Sequence, residues 1–312
     1  MRDIQIIGGG PAGLCAALYA ARAGLSVRVF DPAGGGGQLA EAAEIENYPG
    51  VGRITGSVLA TEMLRAARAA GAEIVCAEVE GAMREAAGFS LTAGDRVYEG
   101  RVLMLANGVK PRRLNVTGEA SFLGRGVSYC ALCDGRFFGG KTVAVVGGGN
   151  GALAEALYLS RTAAVVHLVH RRREFRGERA LLERLRALHN VVIHTERQVL
   201  AIHGENAVSG VTLGSLGGES ERLSLDGVFI AVGRDAQNAR FANLFPLDAR
   251  GFVKAGEDCS CGAGLFALGD TRAKDVRQIA TAVGDGAIAA EGARKYLENW
   301  NGTCQKEASV LY

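Results

Sequence analysis

Residues 4–13 read Ile-Gln-Ile-Ile-Gly-Gly-Gly-Pro-Ala-Gly, and this stretch decides the fold. An apolar strand runs into the pattern Gly-x-Gly-x-x-Gly, and a run of small residues follows over 14–23. A second apolar strand over 25–30 ends at Asp31. This order of strand, glycine turn, helix, strand and acid is typical of the Rossmann unit that binds dinucleotides.

The glycines and the acid have separate predicted tasks in such a unit. We predict that Gly8 makes the tight turn, that Gly10 lets the backbone approach a pyrophosphate, and that Gly13 allows the helix to pack closely on the strand. The helix N-terminus then faces the anion. Asp31 lies 18 residues after Gly13, which is the place from which an acid holds a ribose diol.

The same pattern recurs in the second half of the chain. A strand over 142–146 runs into Gly-Gly-Gly-Asn-Gly-Ala at 147–152, with a helix predicted over 153–161 and a strand over 165–169. That strand ends in His-Arg-Arg-Arg-Glu-Phe-Arg at 170–176, and arginines accept the 2′-phosphate of NADP that an acid repels. The predicted contacts of this second nucleotide are Gly147, Gly149, Ala152, Arg171, Arg172 and Arg176. The alternative interpretation is a solvated basic face at the start of a helix.

We call the glycine motifs at 8–13 and 147–152 the first and the second cradle. A pair of cysteines lies just before the second cradle, in Cys130-Ala-Leu-Cys133. This spacing is typical of a redox disulfide or of half a zinc site. A zinc site needs a second pair of ligands, which neither the nearby histidines nor Cys259-Ser-Cys261 supply, so we predict a redox disulfide and no metal. Asp134 follows the pair directly and is predicted to give a proton to a leaving thiolate, with a simple turn cap as the alternative.

The composition fits a globular nucleotide-binding protein. Of 312 residues, 48% are hydrophobic, 22% are charged, and the formal net charge is +2, so neither nucleic acid nor a membrane surface is expected as a partner. Glycine accounts for 45 residues and proline for 5, which favours many tight turns and close backbone approaches over a linker. The sequence shows no targeting or transmembrane segment and only seven cysteines, from which we expect a cytoplasmic location.

Seven segments together identify a family. The chain resembles the low-molecular-weight thioredoxin reductases of the FAD-containing pyridine nucleotide-disulfide oxidoreductase superfamily over essentially its whole length. The matching segments are GGGPAG (8–13), GGQL (36–39), ENYPG (46–50), CALCDG (130–135), GGGNGA (147–152), HRRREFR (170–176) and FALGDTRAKDVRQIATAVGDGAIAA (266–290).

The resemblance implies an α/β fold with two Rossmann-like three-layer nucleotide-binding domains, the second inserted into the first. We expect the FAD-binding domain to comprise residues 1–114 and 246–312, and the nicotinamide-type domain with the C-x-x-C pair to comprise residues 115–245. Linkers are expected near 111–117 and 233–245. The resemblance also implies a homodimer.

The resemblance also assigns roles to single residues. Cys133 would be the thiol next to the flavin, Cys130 the thiol that attacks thioredoxin or a similar dithiol protein, and Asp134 the acid–base group. The implied function is a flavin-dependent thioredoxin-disulfide reductase that passes electrons from a donor through FAD to this pair. The implied FAD contacts are Gly8, Gly10, Gly13, Asp31, Gln38, Asn47, Asp270, Arg277 and Gln278.

The departures from the family pattern concern the electron donor. The second cradle has Asn150 and Gly151 where the family usually has Asp and Ser or Thr, and Asn107 stands where Thr is usual. One hypothesis keeps NADPH as the donor. The other keeps the disulfide chemistry with ferredoxin or another donor, the second site being degenerate or holding another ligand. In that case Tyr312 would stack on the flavin, the alternative being a frayed tail, and a more remote hypothesis is a flavin-binding redox sensor without turnover.

Overall fold

The computed structural model describes residues 1–42, 44–215 and 218–300. The strands, in chain order, are β1 (Arg2–Ile7), β2 (Val27–Phe30), β3 (Glu73–Val75), β4 (Gly81–Glu85), β5 (Gly88–Ala93), β6 (Arg96–Leu105), β7 (Val109–Pro111), β8 (Val127–Ser128), β9 (Thr142–Val146), β10 (Val165–His170), β11 (Val191–Thr195), β12 (Arg197–Gly204), β13 (Val208–Ser215), β14 (Ser220–Ser224), β15 (Gly227–Ile230), β16 (Arg234–Ala236), β17 (Ser260–Gly262) and β18 (Leu265–Ala267). The α-helices are α1 (Pro11–Arg22), α2 (Gly56–Ala69), α3 (Ala131–Asp134), α4 (Asn150–Leu159), α5 (Arg179–Arg186) and α6 (Ile279–Glu298).

The chain forms two compact units. The first comprises Met1–Lys110 with Asp235–Tyr312, and the second comprises Pro111–Arg234. The chain passes from the first unit to the second after Lys110 and returns after Arg234. Both positions are earlier in the chain than the boundaries expected from the sequence, which follow residues 114 and 245. The physical reason at the second crossing is that Phe241 and Phe245 are buried in the core of the first unit.

The first unit is built on a largely parallel sheet with strand order β17-β18-β6-β1-β2-β3, and the β4–β5 hairpin extends from β6. Side chains alternate between the two faces along each strand. On one face Ile4 and Ile6 of β1 pack with buried residues of α1 and α6. On the other face Ile7 packs with Phe89 and Leu91 of the hairpin. The sheet is therefore buried on both sides, as the apolar runs in its strands predict.

The second unit repeats this plan. Its parallel sheet has the order β11-β10-β9-β15-β8, and a separate antiparallel sheet has the order β12-β13-β14. Val143 and Val145 of β9 face a cluster that includes residues of α4 and α5. Ala144 and Val146 face the opposite cluster, to which β12 and β13 contribute. The expected α/β fold with two Rossmann-like units, the second inserted into the first, is confirmed.

Within the described residues, we find no helix with the length and apolar character that a membrane crossing requires.

Candidate functional site

The first cradle is a close contact between the start of α1 and the end of β1. Gly8 has φ +107°, and a Cβ on it would lie 2.3 Å from the Ala106 carbonyl oxygen. A Cβ on Gly13 would lie 2.0 Å from the Gly8 carbonyl oxygen, so no larger residue fits without moving the helix. Gly10, in contrast, has no heavy atom within 4 Å of its Cβ position, which leaves its backbone open to a ligand. The structure shows the tight turn at Gly8 and the close packing at Gly13, and the approach of a pyrophosphate to Gly10 stays a prediction.

Asp31 stabilises the cradle from the end of β2. Its buried side chain accepts hydrogen bonds from the backbone N–H groups of Gly9 (2.9 Å), Ala33 (2.9 Å) and Gly35 (3.2 Å). Three backbone donors compensate a buried carboxylate for the water it loses. The structure thus gives Asp31 a task in fixing two glycine turns, and the ribose contact stays a prediction.

Two further loops lie against the start of α1. The Gly36 N–H donates to the Gly9 carbonyl at 2.7 Å. A Cβ on Gly269 would lie 2.9 Å from the Cβ of Ala12. These loops carry two of the predicted FAD contacts, Gln38 and Asp270.

Two predicted contacts are joined across a long stretch of chain. The Asn47 side-chain amide donates to the Gln278 side chain at 3.1 Å. Gln278 is the N-cap of α6, where it forms a reciprocal capping box with Thr281. Because both amides lie at the start of this helix, they are held in fixed positions. The Gln38 amide, for its part, donates to the Val109 carbonyl.

Arg277 fixes the loop that carries Asp270. Its Nε donates to the Asp270 carbonyl at 3.2 Å and its Nη2 to the Arg272 carbonyl at 3.0 Å. The guanidinium carbon lies 4.3 Å from the ring centroid of Phe252, a cation–π distance. Arg272 is in turn held by the buried carboxylate of Asp285, at 2.8 Å. The loop between β18 and α6 is therefore anchored at both ends.

Sequence reasoning noted Asn107 but missed its partners. The Asn107 Nδ2 donates to Oδ1 of the fully buried Asn238 at 3.1 Å, and the Thr271 hydroxyl donates to the same oxygen at 2.8 Å. The Asn107 Oδ1 is buried and has no hydrogen-bond partner. Asn107 follows Ala106, whose carbonyl faces Gly8, so an unsatisfied acceptor lies beside the first cradle. Together with the open side of the glycine turn, this acceptor fits FAD, which carries hydroxyl and amide donors.

The second cradle has the same backbone design in the other unit. A Cβ on Gly147 would lie 2.4 Å from the Ala231 carbonyl oxygen and 2.7 Å from the Cβ of Ala152. The third small residue of the pattern is thus packed against the first, as in the first cradle. Gly149 forms the N-cap of α4 and has no heavy atom within 4 Å of its Cβ position, so its backbone is unobstructed on that side.

His170 and Arg176 contact Gly148 of the second cradle, and the predicted arginines lie close to His170. A Cβ on Gly148 would lie 2.2 Å from the His170 ring, and the Arg176 N–H donates to the Gly148 carbonyl at 2.8 Å. Burial lowers the pKa of His170, and the nearby charges of Arg172, Arg176 and Arg171 lower it further. The ring therefore stays neutral while three exposed guanidinium groups make its surroundings positive. Such a field suits a phosphate ligand.

The first turn of α4 offers no side-chain hydroxyl. Asn150 exchanges two hydrogen bonds with Glu178, its Nδ2 donating at 2.9 Å and its Oδ1 accepting from the Glu178 N–H at 2.7 Å. Gly151 is exposed, and no heavy atom lies within 4 Å of its Cβ position. The glycine that departs from the family pattern is therefore not required by packing.

The redox pair lies at the surface of the second unit. Cys130 and Cys133 form a disulfide, with their Cα atoms 5.3 Å apart. Cys130 is half-buried at the N-cap of the short helix α3, and Cys133 is exposed. Leu132 between them is also exposed, so a protein partner has access to the pair.

Asp134 is connected to the pair through Ser128, a residue that the sequence did not single out. The Ser128 hydroxyl donates to Asp134 Oδ2 at 2.6 Å and accepts from the Cys130 N–H at 3.0 Å. Burial raises the pKa of Asp134, and the Ser128 hydrogen bond partly opposes this shift. A carboxyl group with a raised pKa can hold a proton for transfer, which is what the predicted acid requires.

Two other cysteines and the predicted stacking residue lie elsewhere in the chain. Burial raises the pKa of the Cys259 and Cys261 thiols to about 12, so both stay protonated and unreactive at neutral pH. Tyr312, the predicted stacking residue, lies outside the described residues.

Comparisons with known proteins agree with this geometry. The family model for pyridine nucleotide-disulphide oxidoreductases matches residues 2–286. A thioredoxin reductase of Listeria monocytogenes is 39% identical over 310 residues, which cover 98% of this chain and 97% of that protein. A bifunctional thioredoxin reductase/thioredoxin of Mycobacterium leprae is 39% identical over 314 residues, covering 99% of this chain and 69% of that protein.

A solved structure extends the likeness to the fold. The thioredoxin reductase from Streptococcus pyogenes MGAS5005 superposes with a TM-score of 0.92 at 39% identity, covering 96% of this chain and 99% of that chain. Identity at this level over nearly the whole length, two glycine cradles and a C-x-x-C disulfide lead to one conclusion. The chain belongs to the pyridine nucleotide-disulphide oxidoreductase family and, within it, to the thioredoxin reductases.

Proposed function

We propose that this chain passes electrons from NADPH through FAD to the Cys130–Cys133 disulfide and from there to a thioredoxin. The observation that carries the proposal is an accessible disulfide followed directly by a half-buried acid, Asp134, which is hydrogen-bonded to Ser128. The Mycobacterium leprae relative is named as a reductase joined to a thioredoxin, which supports a thioredoxin as the partner. A homodimer is proposed on the family resemblance.

The first unit holds FAD with the residues around its glycine turn. We assign the pyrophosphate to the backbone of Gly8, Gly10 and Gly13, and further contacts to the loops that carry Gln38 and Asp270. FAD, when bound, supplies two-electron transfer between a hydride donor and a disulfide. The backbone at Gly10 would let the diphosphate approach without steric hindrance, and the N–H groups at the start of α1 would donate to it.

The chemistry of the pair is a thiol–disulfide exchange that the residues of α3 control. Two electrons and two protons convert the disulfide into the thiols of Cys130 and Cys133. The Cys130 thiolate then attacks the disulfide of thioredoxin, forming a mixed disulfide and releasing one partner thiolate. Cys133 attacks the Cys130 sulfur of that mixed disulfide, which restores the intramolecular disulfide and releases the second partner thiolate. Asp134 gives a proton to a departing thiolate and recovers it from solvent.

The donor is assigned from the second unit. Three exposed arginines around a neutral His170 support NADPH, since they match a 2′-phosphate. One observation favours a different donor: Gly151 leaves the first turn of α4 without a hydroxyl for a phosphate. It favours the second candidate, the same disulfide reduction with reduced ferredoxin as donor.

Replacing either cysteine of the pair tests the proposed exchange. We expect Cys130→Ser and Cys133→Ser to lower thioredoxin reduction by about three orders of magnitude or more, because each removes an obligatory sulfur. Only Cys133→Ser leaves the attacking thiol, so it alone accumulates a mixed disulfide with thioredoxin on a non-reducing gel. Cys76→Ser, at an exposed free cysteine, is the matched control and keeps full activity. Equal trapping by Cys130→Ser would show that the roles are reversed.

The pH dependence of turnover tests Asp134. A proton donor works only while protonated, so activity declines as pH rises through the raised pKa of this carboxyl. Asp134→Asn is expected to reduce turnover by about 10²–10⁴-fold and to abolish this decline. Ser128→Ala removes the hydrogen bond that lowers the pKa, and the decline moves to higher pH. A pH profile of Ser128→Ala that matches the wild type contradicts the assignment.

The missing hydroxyl in α4 makes a prediction about NADPH. Gly151→Thr places a hydroxyl where the family usually has one, and Gly151→Ala is the matched control for the gain in helix propensity. A hydrogen bond to a charged group contributes about 1.5–3 kcal/mol, so we expect Gly151→Thr to bind NADPH about 10- to 150-fold more tightly than Gly151→Ala. Isothermal titration measures both affinities, and equal values for the two variants would show that the hydroxyl does not contribute to NADPH binding.

A further inference from the structure

A buried glutamate, Glu119, holds the residue that precedes the redox pair. It is 3% exposed, although glutamate is seldom fully buried unless it is paired. The turn that carries it is fixed to β12, because the Ile202 N–H donates to the Thr117 carbonyl at 2.9 Å. A Cβ on Gly118 would lie 2.1 Å from the Ile202 carbonyl oxygen, so this turn lies directly against the strand. The backbone at Glu119 therefore has a defined position in the second unit.

Three hydrogen-bond donors compensate the carboxyl group of Glu119. Its Oε1 accepts from the Leu114 N–H at 3.0 Å and from the Tyr129 hydroxyl at 2.8 Å. Its Oε2 accepts from the Asn115 N–H at 2.6 Å. Asn115 has φ +59°, in the left-handed region that residues other than glycine seldom adopt. One buried carboxyl group thus joins the backbone at 114–115 to Tyr129.

Tyr129 transmits this restraint to the redox pair, because it shares a peptide bond with Cys130. Its ring packs on the same apolar cluster as Leu114. Burial raises the pKa of its hydroxyl and the hydrogen bond to Glu119 raises it further, so the hydroxyl stays protonated and donates. On the other side of this peptide, the Cys130 N–H donates to the Ser128 hydroxyl oxygen at 3.0 Å. The backbone that leads into Cys130 is therefore held from both sides.

The restraint has its largest effect when the disulfide is open. In the oxidised pair, the bond between the two sulfurs itself limits the motion of Cys130. Reduction removes that bond, and the position of the Cys130 thiol then depends on the backbone to which it is attached. A restrained backbone raises the effective concentration of one thiol at the other, which favours the disulfide over the two thiols.

We propose that Glu119 is a positioning residue of the Cys130–Cys133 couple, which acts through the Tyr129 hydroxyl to keep the Cys130 thiol close to Cys133 in the reduced enzyme. In this role Glu119 exchanges neither a proton nor an electron. It shifts the equilibrium between the disulfide and the two thiols towards the disulfide. This inference rests on the proposed function only in taking the pair as the redox couple.

The equilibrium of the pair with dithiothreitol tests this role. Two electrons and two protons pass from the reagent to the pair, giving two cysteine thiols and the cyclic disulfide of the reagent. The holoenzyme is equilibrated at several ratios of reduced to oxidised reagent, and alkylation with mass spectrometry gives the reduced fraction of Cys130 and Cys133. We expect the disulfide of Tyr129→Phe to be reduced about three- to tenfold more readily than that of the wild type, because the ring is no longer bonded to Glu119. A tenfold change corresponds to about 30 mV.

A double-mutant cycle shows whether the two side chains act together. Glu119→Leu removes the acceptor, and we expect it to shift the equilibrium in the same direction as Tyr129→Phe. Adding Tyr129→Phe to Glu119→Leu should then have no further effect, since the hydrogen bond is already lost. Tyr98→Phe, at a half-buried tyrosine of the first unit, serves as the control and keeps the wild-type equilibrium.

The equilibrium of Tyr129→Phe decides the proposal even if Glu119→Leu does not fold. A merely structural role would lower the temperature of unfolding and leave this equilibrium unchanged, and that result overturns the proposal. Shifts that add in the double variant overturn it as well, since the two side chains would then act separately. Thioredoxin reduction is measured on the same preparations, and a wild type that fails to reduce thioredoxin while Tyr129→Phe shows the expected shift would reject the proposed function and leave the role of Glu119 standing.

Discussion

The architecture depends on how closely a helix can approach the strand that precedes it. In the first unit, the Cβ position of Gly13 lies 2.0 Å from the Gly8 carbonyl oxygen, so any side chain there moves α1 away from β1. The same approach brings the N-terminus of α1 to the edge of the sheet and leaves Gly10 open. The second unit uses the same contact between Gly147 and Ala152. Two nucleotide cradles follow from one steric rule applied twice.

The redox segment is held by the carboxyl groups of the buried Glu119 and the half-buried Asp134. Glu119 is 3% exposed and accepts hydrogen bonds from the backbone N–H groups of Leu114 and Asn115 and from the Tyr129 hydroxyl. Tyr129 directly precedes Cys130, and the next carboxyl, on Asp134, is bonded through Ser128. Fully paired polar groups of low exposure rigidify their surroundings. The disulfide is thus accessible to a partner while the backbone that presents it is fixed.

The sequence predicts the parts of this protein that depend on local spacing. Both cradles, the cysteine pair and the arginines after β10 could be found because each occupies a few consecutive residues. Contacts between residues that are far apart in the sequence could not be found in this way. Asn107 and Asn238 are 131 positions apart, and nothing in either segment indicates that their amides meet. The chain returns to the first unit after Arg234, inside the expected linker range 233–245, and Phe241 and Phe245 then pack in the core of that unit, a tertiary effect that the expected domain boundary after residue 245 does not include.

We propose that electrons from NADPH reach the Cys130–Cys133 pair through the flavin. The most direct measurement is an anaerobic titration of the holoenzyme with NADPH, following flavin absorbance and then alkylating the free thiols. We expect the absorbance to bleach and label to appear on Cys130 and Cys133, while Cys259 and Cys261 stay unlabelled. A flavin that keeps its absorbance at millimolar NADPH, yet bleaches with reduced ferredoxin, would show that NADPH is not the electron donor.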